Sequence, residues 1–272
     1  MKDFWKNKSV LITGHEGFLG SNILKALSGC GARIIGVDKV KDRPGTMLEG
    51  LRKSIICIKG DISDLKLVKR IVDKYKPQVI FHVAAEAIVG EANKNPVKAF
   101  KSNIEGTWNI LEASRDKKFI EAIVAASSDK AYGSHKTLPY KEGAALKGSH
   151  PYDVSKSSSD LICYTYWNTY RVPVCVTRCG NIYGPGDFHF SRIVPDAIRC
   201  AIKGKTLLIR SDGKFIRDYV YVEDIVNGYI VLAEKMKKLK LYGEAFNFSY
   251  EDPITVIEMA EKIYKLTGKN PG

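Results

Sequence analysis

The stretch SVLITGHEGFLGSNIL, residues 9–24, decides the fold: a short β-branched run breaks at Gly14, Gly17 and Gly20 and resumes as a helical pattern. Glycines at a strand-to-helix turn permit a tight backbone and let N–H groups approach a pyrophosphate at the positive end of the helix. The spacing differs from GxGxxG, so the three glycines alone also fit an ordinary strand-to-helix turn. Asp38 strengthens the first reading. It closes the next apolar run, about twenty residues on, where a carboxylate accepts from adenosine ribose hydroxyls and repels a 2′-phosphate. The expected cofactor is therefore NAD over NADP, although Lys39 and Arg43 close by are side chains that suit a phosphate. Asp61-Ile62 after the third run fits an adenine-edge contact and, equally, an N-cap for the helix that follows.

The remaining apolar runs are ARIIGV (32–37), SIICI (54–58), QVIFHV (78–83), EAIVAAS (121–127) and VPVCVTR (172–178), with helical patterns over 18–29, 64–75, 96–116 and 152–170. Runs apolar at nearly every position are strands buried on both faces, and Asn95-Pro96 and Pro151 stand at plausible helix starts. Repeated β-helix-β units predict an α/β fold, a Rossmann-type doubly wound parallel sheet over residues 1–178. After Arg178 come a Gly/Pro loop (CGNIYGPGDF), a helix from about Ser191 to Lys203, a TLLIR run, the turn SDGK and helices opening near Val222 and Thr255. These predict a smaller C-terminal substrate lobe, 179–272, interleaved with the first domain and set over the carboxyl edge of the sheet.

With 272 residues and 44% hydrophobic composition the chain can bury a proper core, which excludes disordered, collagenous and small disulfide-stapled classes. Forty-three Lys plus Arg against 30 Asp plus Glu leave +13, a field that attracts anions without choosing among nucleotides, nucleic acid and acidic membranes. The basic stretch EKMKKLK (234–240) lacks interleaved aromatics and reads as a solvated helix end, so no nucleic-acid partner is expected. No run reaches the roughly 18 apolar residues of a membrane span, and the first residues lack a signal core, so the expected place is the cytoplasm. Six cysteines without CxxC and five histidines without HExxH predict reduced thiols and no metal.

Tyr152 and Lys156, four apart at the front of a predicted helix, emerge on one face. Beside a nicotinamide the pair has a mechanism: Lys156 and the positive ring lower the phenol from about 10, making Tyr152 a base for a hydroxyl proton. The fifth strand runs into Ser127-Ser128-Asp129-Lys130-Ala131-Tyr132-Gly133, which places hydroxyl, carboxyl and amine together at the carboxyl edge.

These residues resemble the extended short-chain dehydrogenases/reductases of the NAD-dependent nucleotide-sugar epimerase/dehydratase family. The matching segments are TGHEGFLG, FHVAA (81–85), Asn103 within NIEGTWNILEA, SSDKAYG, PYDVSK (151–156), TRCGNIYGPGD (177–187) and IRDYVYVEDI (216–225), in the family's order from the start to about residue 230. The nearest branch is the 4,6-dehydratases, CDP-glucose 4,6-dehydratase in particular, whose GHxGFxG loop and S/T-D-K turn recur here. The resemblance implies that Gly14, Gly17, Phe18, Leu19, Gly20, Asp38, Lys39, Asp61, Ile62, Ala84, Ala85 and Asn103 serve NAD, with Tyr152 and Lys156. Ser128, Asp129, Lys130, Tyr152 and Lys156 would be catalytic: Ser128 holding the 4-oxygen, Lys130 serving carbon 5 as base or as charge, and Asp129 protonating the 6-hydroxyl. Glu86, Ser128, Asn181, Arg192 and Arg217 match substrate positions, while Arg210 fits either substrate or a surface charge at a strand end. Arg178 fits either a cofactor-side or an architectural place.

The turn argues for dehydration, since family 4-epimerases usually carry small or hydroxyl residues where Asp129 and Lys130 stand. A 4-epimerase and a silent NAD-binding scaffold are the rival expectations. The segment 84–96 keeps the family frame with different residues after AAE, and KLTGKNPG ends the sequence before the family's usual lobe-closing elements, so the second lobe is expected to be incomplete. The helices at 96–116 and 152–170 are the pair such enzymes use for a homodimer, and deoxysugars of this kind feed polysaccharide biosynthesis.

Overall fold

Seven short strands, the inner five mostly buried and the two at the edges half-buried, form the central sheet of the protein, described here by a computed structural model over residues 2–268. The last four residues of the expected second lobe lie outside the described residues. In chain order the strands are β1 Ser9–Thr13, β2 Arg33–Asp38, β3 Ile56–Lys59, β4 Val79–His82, β5 Ala122–Ala126, β6 Val174–Cys179, β7 Asn181–Tyr183, β8 Ile216–Arg217, β9 Tyr219–Tyr221, β10 Ala245–Phe248 and β11 Ile254–Thr255. The α-helices are α1 Lys2–Trp5, α2 Phe18–Leu27, α3 Leu65–Tyr75, α4 Val89–Lys94, α5 Pro96–Phe100, α6 Gly106–Ser114, α7 Pro151–Tyr170, α8 Ile193–Lys203, α9 Val222–Leu239 and α10 Val256–Thr267.

The large sheet is parallel with the order β10-β6-β5-β4-β1-β2-β3. Its order reverses between β1 and β4, and ligands bind outside the carboxyl ends at such a switch point. Alternate residues of each strand serve two cores. Val10 and Ile12 pack with Ile23, Leu24 and Leu27 of α2 and Val226 and Tyr229 of α9, whereas Leu11 packs with Val68 and Ile71 of α3, Ile110 of α6 and Cys163 of α7. Each large aliphatic side chain so buried contributes about 1.5–3 kcal/mol.

Two features differ from the sequence reading. A seventh strand, β10, joins the sheet beside β6, and α9 covers the same layer as α2, so residues well past 179 return to the first layer. The TLLIR run (206–210) forms no strand: among the described residues it has no ladder partner, and Leu208 is 74% exposed. Leu207 alone of the pair packs inward, against the small core of α8, β9 and α10. Arg210 therefore does not end a strand.

Candidate active site

The turn after β1 is shaped by close approach. Gly14 has φ +72°, and a Cβ there would lie 2.8 Å from the Ala84 Cα; one at Gly20 would lie 2.2 Å from the Gly14 carbonyl oxygen. Only a side-chain-free loop brings β1, α2 and the 84–86 segment together so tightly, leaving the start of α2 facing the cleft. Glu16, fully buried, pairs with Arg52 in two hydrogen bonds and accepts the Asp42 and Arg43 N–H groups at 3.1 Å each. That pairing holds its carboxyl below the ordinary range against burial, which acts the other way. The loop after β2 is thereby fastened to the glycine loop. Asp38 in turn accepts from the Glu16 N–H and the Val40 N–H, both at 3.1 Å, which fixes a carboxylate on the cleft wall.

The cleft, about 1510 Å³, runs along the carboxyl edge of the sheet and takes its lining from both parts of the chain. Gly14, Gly17, Phe18, Leu19, Gly20, Asp38, Lys39, Ile62, Ala84, Ala85 and Glu86 line the sheet side, and Asn181, Arg192, Arg210 and Arg217 line the other. Ser128, Asp129, Lys130, Tyr152 and Lys156 lie on the wall between them. Every catalytic and substrate-side residue expected from the sequence thus meets in one space.

Ser128 caps the short turn Asp129–Tyr132: its hydroxyl accepts the Lys130 N–H at 3.2 Å and donates to Asp129 Oδ1 at 2.9 Å. Lys130 Nζ reaches Asp129 Oδ2 at 2.8 Å, so acid and amine form an ion pair on the wall of the cleft. Behind the turn, Arg178 grips Asp160 of α7 with two hydrogen bonds of 2.7 and 2.9 Å and donates to the Tyr132 hydroxyl at 2.8 Å. Tyr132 continues to Asn247 of β10 at 2.7 Å. Arg178 is thus architectural, a buried staple between β6, α7 and the catalytic turn.

Pro151 opens α7, so Tyr152 and Lys156 stand in its first turns, 9% and 5% exposed. Lys156 Nζ donates to the Ala126 carbonyl at the end of β5, 2.7 Å away, and burial lowers its ammonium to about 8. The phenol of Tyr152 departs from expectation. Burial pushes it up to about 12, with the Ser128 hydroxyl acting the other way. Full desolvation of the phenolate outweighs what the protein's own charges return.

Two residues expected to serve the cofactor make hydrogen bonds within the protein and are absent from the cleft lining. Asn103 is 1% exposed: its Oδ1 accepts the Glu86 N–H at 2.7 Å, and its Nδ2 donates to the Glu86 carbonyl at 3.2 Å and to Ser155 Oγ at 2.8 Å. These bonds tie Asn103 to the 84–86 wall, and it is absent from the cleft lining. Asp61 is absent from the cleft lining; it accepts the Ser63 N–H at 2.9 Å and pairs with Lys39 at 3.1 Å. Nor does it cap α3, whose N-cap is Asp64, accepting from Leu67 N–H at 3.1 Å. Gly60 and Ile62 on either side of Asp61 do reach the cleft.

On the far side, Arg192 is tied to the buried Asp187 at 3.2 Å, while Arg217 donates to its own neighbour's carbonyl at 2.8 Å. Glu86 pairs with Lys98 at 2.8 Å. Sequence reasoning missed Ser102, Tyr183, Asp187 and His189, all on the cleft wall. The GPGDFHF segment signalled a loop, but nothing in it marked which side chains turn inward. Ser127 was seen only as part of its turn; its hydroxyl is buried on this wall with no partner among the described residues.

A dinucleotide suits these residues. The Gly14–Gly20 cradle, the fixed Asp38 carboxylate and the unspent Ser127 hydroxyl supply a pyrophosphate site, a ribose acceptor and a donor deeper in. Comparison with known proteins agrees. A CDP-glucose 4,6-dehydratase of Salmonella typhimurium is 29% identical over 98% of this chain and 78% of its own length. A dTDP-glucose 4,6-dehydratase of Bacillus anthracis, solved in complex with NAD, is 30% identical with a TM-score of 0.84 over 97% of this chain and 82% of that one. A UDP-glucose 4-epimerase of Thermotoga maritima, solved with UDP-glucose, is 26% identical with a TM-score of 0.87 over 97% and 84%. Residues 10–248 match the NAD dependent epimerase/dehydratase family. With its glycine cradle, its Tyr-Lys helix and that match over most of its length, the chain belongs to this family of NAD-dependent extended short-chain dehydrogenase enzymes.

Proposed function

We propose that the protein is a nucleotide-sugar 4,6-dehydratase acting on CDP-glucose, giving CDP-4-keto-6-deoxyglucose, with an NAD-binding domain over residues 1–178 and a substrate-binding lobe, interleaved with it, over 179–272. The observation that carries the reading is the Asp129–Lys130 pair beside Tyr152 in one cleft. Removal and return of hydride at carbon 4 requires neither group; elimination across carbons 5 and 6 requires both. The similarity to the Salmonella enzyme supports CDP.

Bound NAD supplies a hydride acceptor for carbon 4 and later the donor for carbon 6, and its positive ring favours a phenolate nearby. Ser128 holds the 4-oxygen while Tyr152 takes the 4-hydroxyl proton. Lys156 holds Tyr152's surroundings in place from the end of β5. The carbon 5 proton, now beside a ketone, is acidic. An ammonium beside a carboxylate is one proton shift, over 2.8 Å, from an amine beside a carboxylic acid. Lys130 then removes the carbon 5 proton, Asp129 gives its own to the departing 6-hydroxyl, and water leaves with the pair's charge restored.

Mass spectrometry after incubation with NAD and a panel of CDP-, dTDP-, UDP- and GDP-hexoses tests this. Loss of one water from the CDP sugar alone is the expected result. An epimer of unchanged mass would establish a 4-epimerase, and NAD binding with no product would favour a silent scaffold. Lys130→Ala should abolish solvent-deuterium incorporation at carbon 5 while a single turnover still reduces bound nicotinamide; loss of both together would sink the division of labour. We also propose a cytoplasmic homodimer through α5–α6 and α7, which sedimentation would test by a mass of one chain or two.

A further inference from the structure

Thr13, His82, Thr107 and Asn103 form a buried file of hydrogen bonds beneath the cleft that the proposed chemistry leaves unused. Thr13 and His82 end the neighbouring strands β1 and β4 in register, and Thr107 stands one turn beyond Asn103 in the helix that continues from α5 to α6. His82 is 5% exposed, with Nδ1 2.9 Å from Thr13 Oγ1 and Nε2 3.0 Å from Thr107 Oγ1.

The direction of each bond follows from its neighbours. Thr107 Oγ1 lies 2.5 Å from the Asn103 carbonyl oxygen, a separation that needs a proton between them, and a carbonyl has none to give. Thr107 therefore donates to Asn103 and accepts from His82, which places the ring proton on Nε2. At the other end Thr13 Oγ1 accepts the Ala84 N–H at 3.1 Å, leaving its own proton for Nδ1. Burial, with the Lys156 charge in the same direction, lowers the imidazole to about 3, consistent with a neutral ring.

The file thus runs one way, from the Ala84 amide to the Asn103 carbonyl. Its first end is the wall against which Gly14 packs. Its second end lies in the π-turn Lys101–Glu105, where the helix between α5 and α6 widens; a turn of this kind frees a main-chain carbonyl from the regular ladder. Ser159 of α7 also donates to that carbonyl at 2.8 Å, and Asn103 holds Ser155, whose hydroxyl reaches the Tyr152 carbonyl at 2.7 Å.

We propose that His82 is a positioning residue: as a neutral Nε2–H ring it sets the NAD-side wall at Ala84 and the π-turn that seats Tyr152 in fixed relation to each other. Its two nitrogens serve two outcomes, so they are separable. An asparagine amide oxygen falls near the place of Nδ1, and a glutamine amide nitrogen near that of Nε2. His82→Asn keeps the Thr13 contact, so the Kd for NAD stays within about threefold while turnover falls about 100-fold, the size of an ångström-scale misplacement. His82→Gln inverts the order: the Kd rises about fivefold for one lost hydrogen bond, with the smaller loss in turnover.

The turnover arm rests on the dehydratase reading; calorimetric NAD affinity does not, so a substrate panel without product leaves the affinity contrast standing as a test. The ring tautomer, read by ¹⁵N NMR on the wild-type protein, needs neither sugar nor variants. An Nε2-protonated neutral ring and opposite affinity orders in the two variants are the expected results. A ring protonated at Nδ1 or at both nitrogens, or equal losses in both variants, would overturn the proposal.

Discussion

On the sheet side of the cleft Asp38, Lys156 and Asn103 spend their polar atoms on main-chain groups of neighbouring elements, whereas on the lobe side Arg217 bonds to the adjacent carbonyl and Arg210 projects exposed. The difference separates two tasks. Hydride and proton transfer tolerate little misplacement, so the groups near the chemistry are locked before any ligand arrives. Holding a flexible, doubly charged substrate asks for guanidinium groups that close on it, and a loosely held rim allows that closure. Substitutions on the two sides should therefore fail in different ways, in turnover on one and in affinity on the other.

Tyr152→Phe should give the largest effect, a fall in kcat of about 10²–10⁴-fold, because it removes the proton acceptor that stands beside Lys156 and Ser128 on the cleft wall. A fall in substrate affinity of similar size with kcat retained would reverse the assignment of the two sides. Next comes Arg178, which carries the locking but touches no ligand. Arg178→Met strands Asp160, only 6% exposed, as an uncompensated buried charge, and should cost about 3–5 kcal/mol in denaturant unfolding. Adding Asp160→Leu should recover most of that loss. If the single variant is as stable as the parent, the staple is not what holds the catalytic turn.

The locking of Lys156 has a pH signature. Its folded value of about 8 lies below the usual 10.5, so the folded protein loses this proton before the unfolded chain does. Stability from this group is thus lowest below pH 8 and rises between pH 8 and 10.5, by up to about 3 kcal/mol in all. Tyr152, with its folded value of about 12 above the usual 10, opposes this only above pH 10. Buried Cys175 and Cys179, also raised to about 12, act in Tyr152's direction from pH 9 upward. Comparison with Lys156→Met isolates the lysine: the variant should lack the rise, and identical pH profiles would show that the ammonium is not desolvated.

Much of the locked side was legible because its signals are local. The glycine loop, Asp38 and the Tyr-Lys pair each declare themselves within a few residues, and six of the seven large-sheet strands read from continuous apolar runs. What was hidden depends on partners far away in the chain. AFNF at 245–248 is too short to announce a strand until β6 is beside it. Asn103 has a ligand-like side chain and a structural duty, decided by a π-turn that no residue spacing reveals. The direction of the Tyr152 shift was likewise hidden, because the depth of burial that raises it cannot be read from residue spacing.

The smallest expected effects lie on the rim, and there the comparison can be sharpened. Arg192 is already held by Asp187, which is 2% exposed as a side chain, so its guanidinium is partly preorganised; Arg210 is exposed and has no ion pair among the described residues. Preorganised charges lose less entropy on binding, so Arg192→Ala should raise the substrate KM about tenfold and Arg210→Ala about threefold or less, each with kcat nearly unchanged. The two should also part in salt. Screening weakens exposed contacts first, so raising the ionic strength should narrow the gap between Arg210→Ala and the parent more than the gap for Arg192→Ala. Equal effects that respond equally to salt would mean that the rim is as preorganised as the sheet side, and that the cleft has one kind of wall.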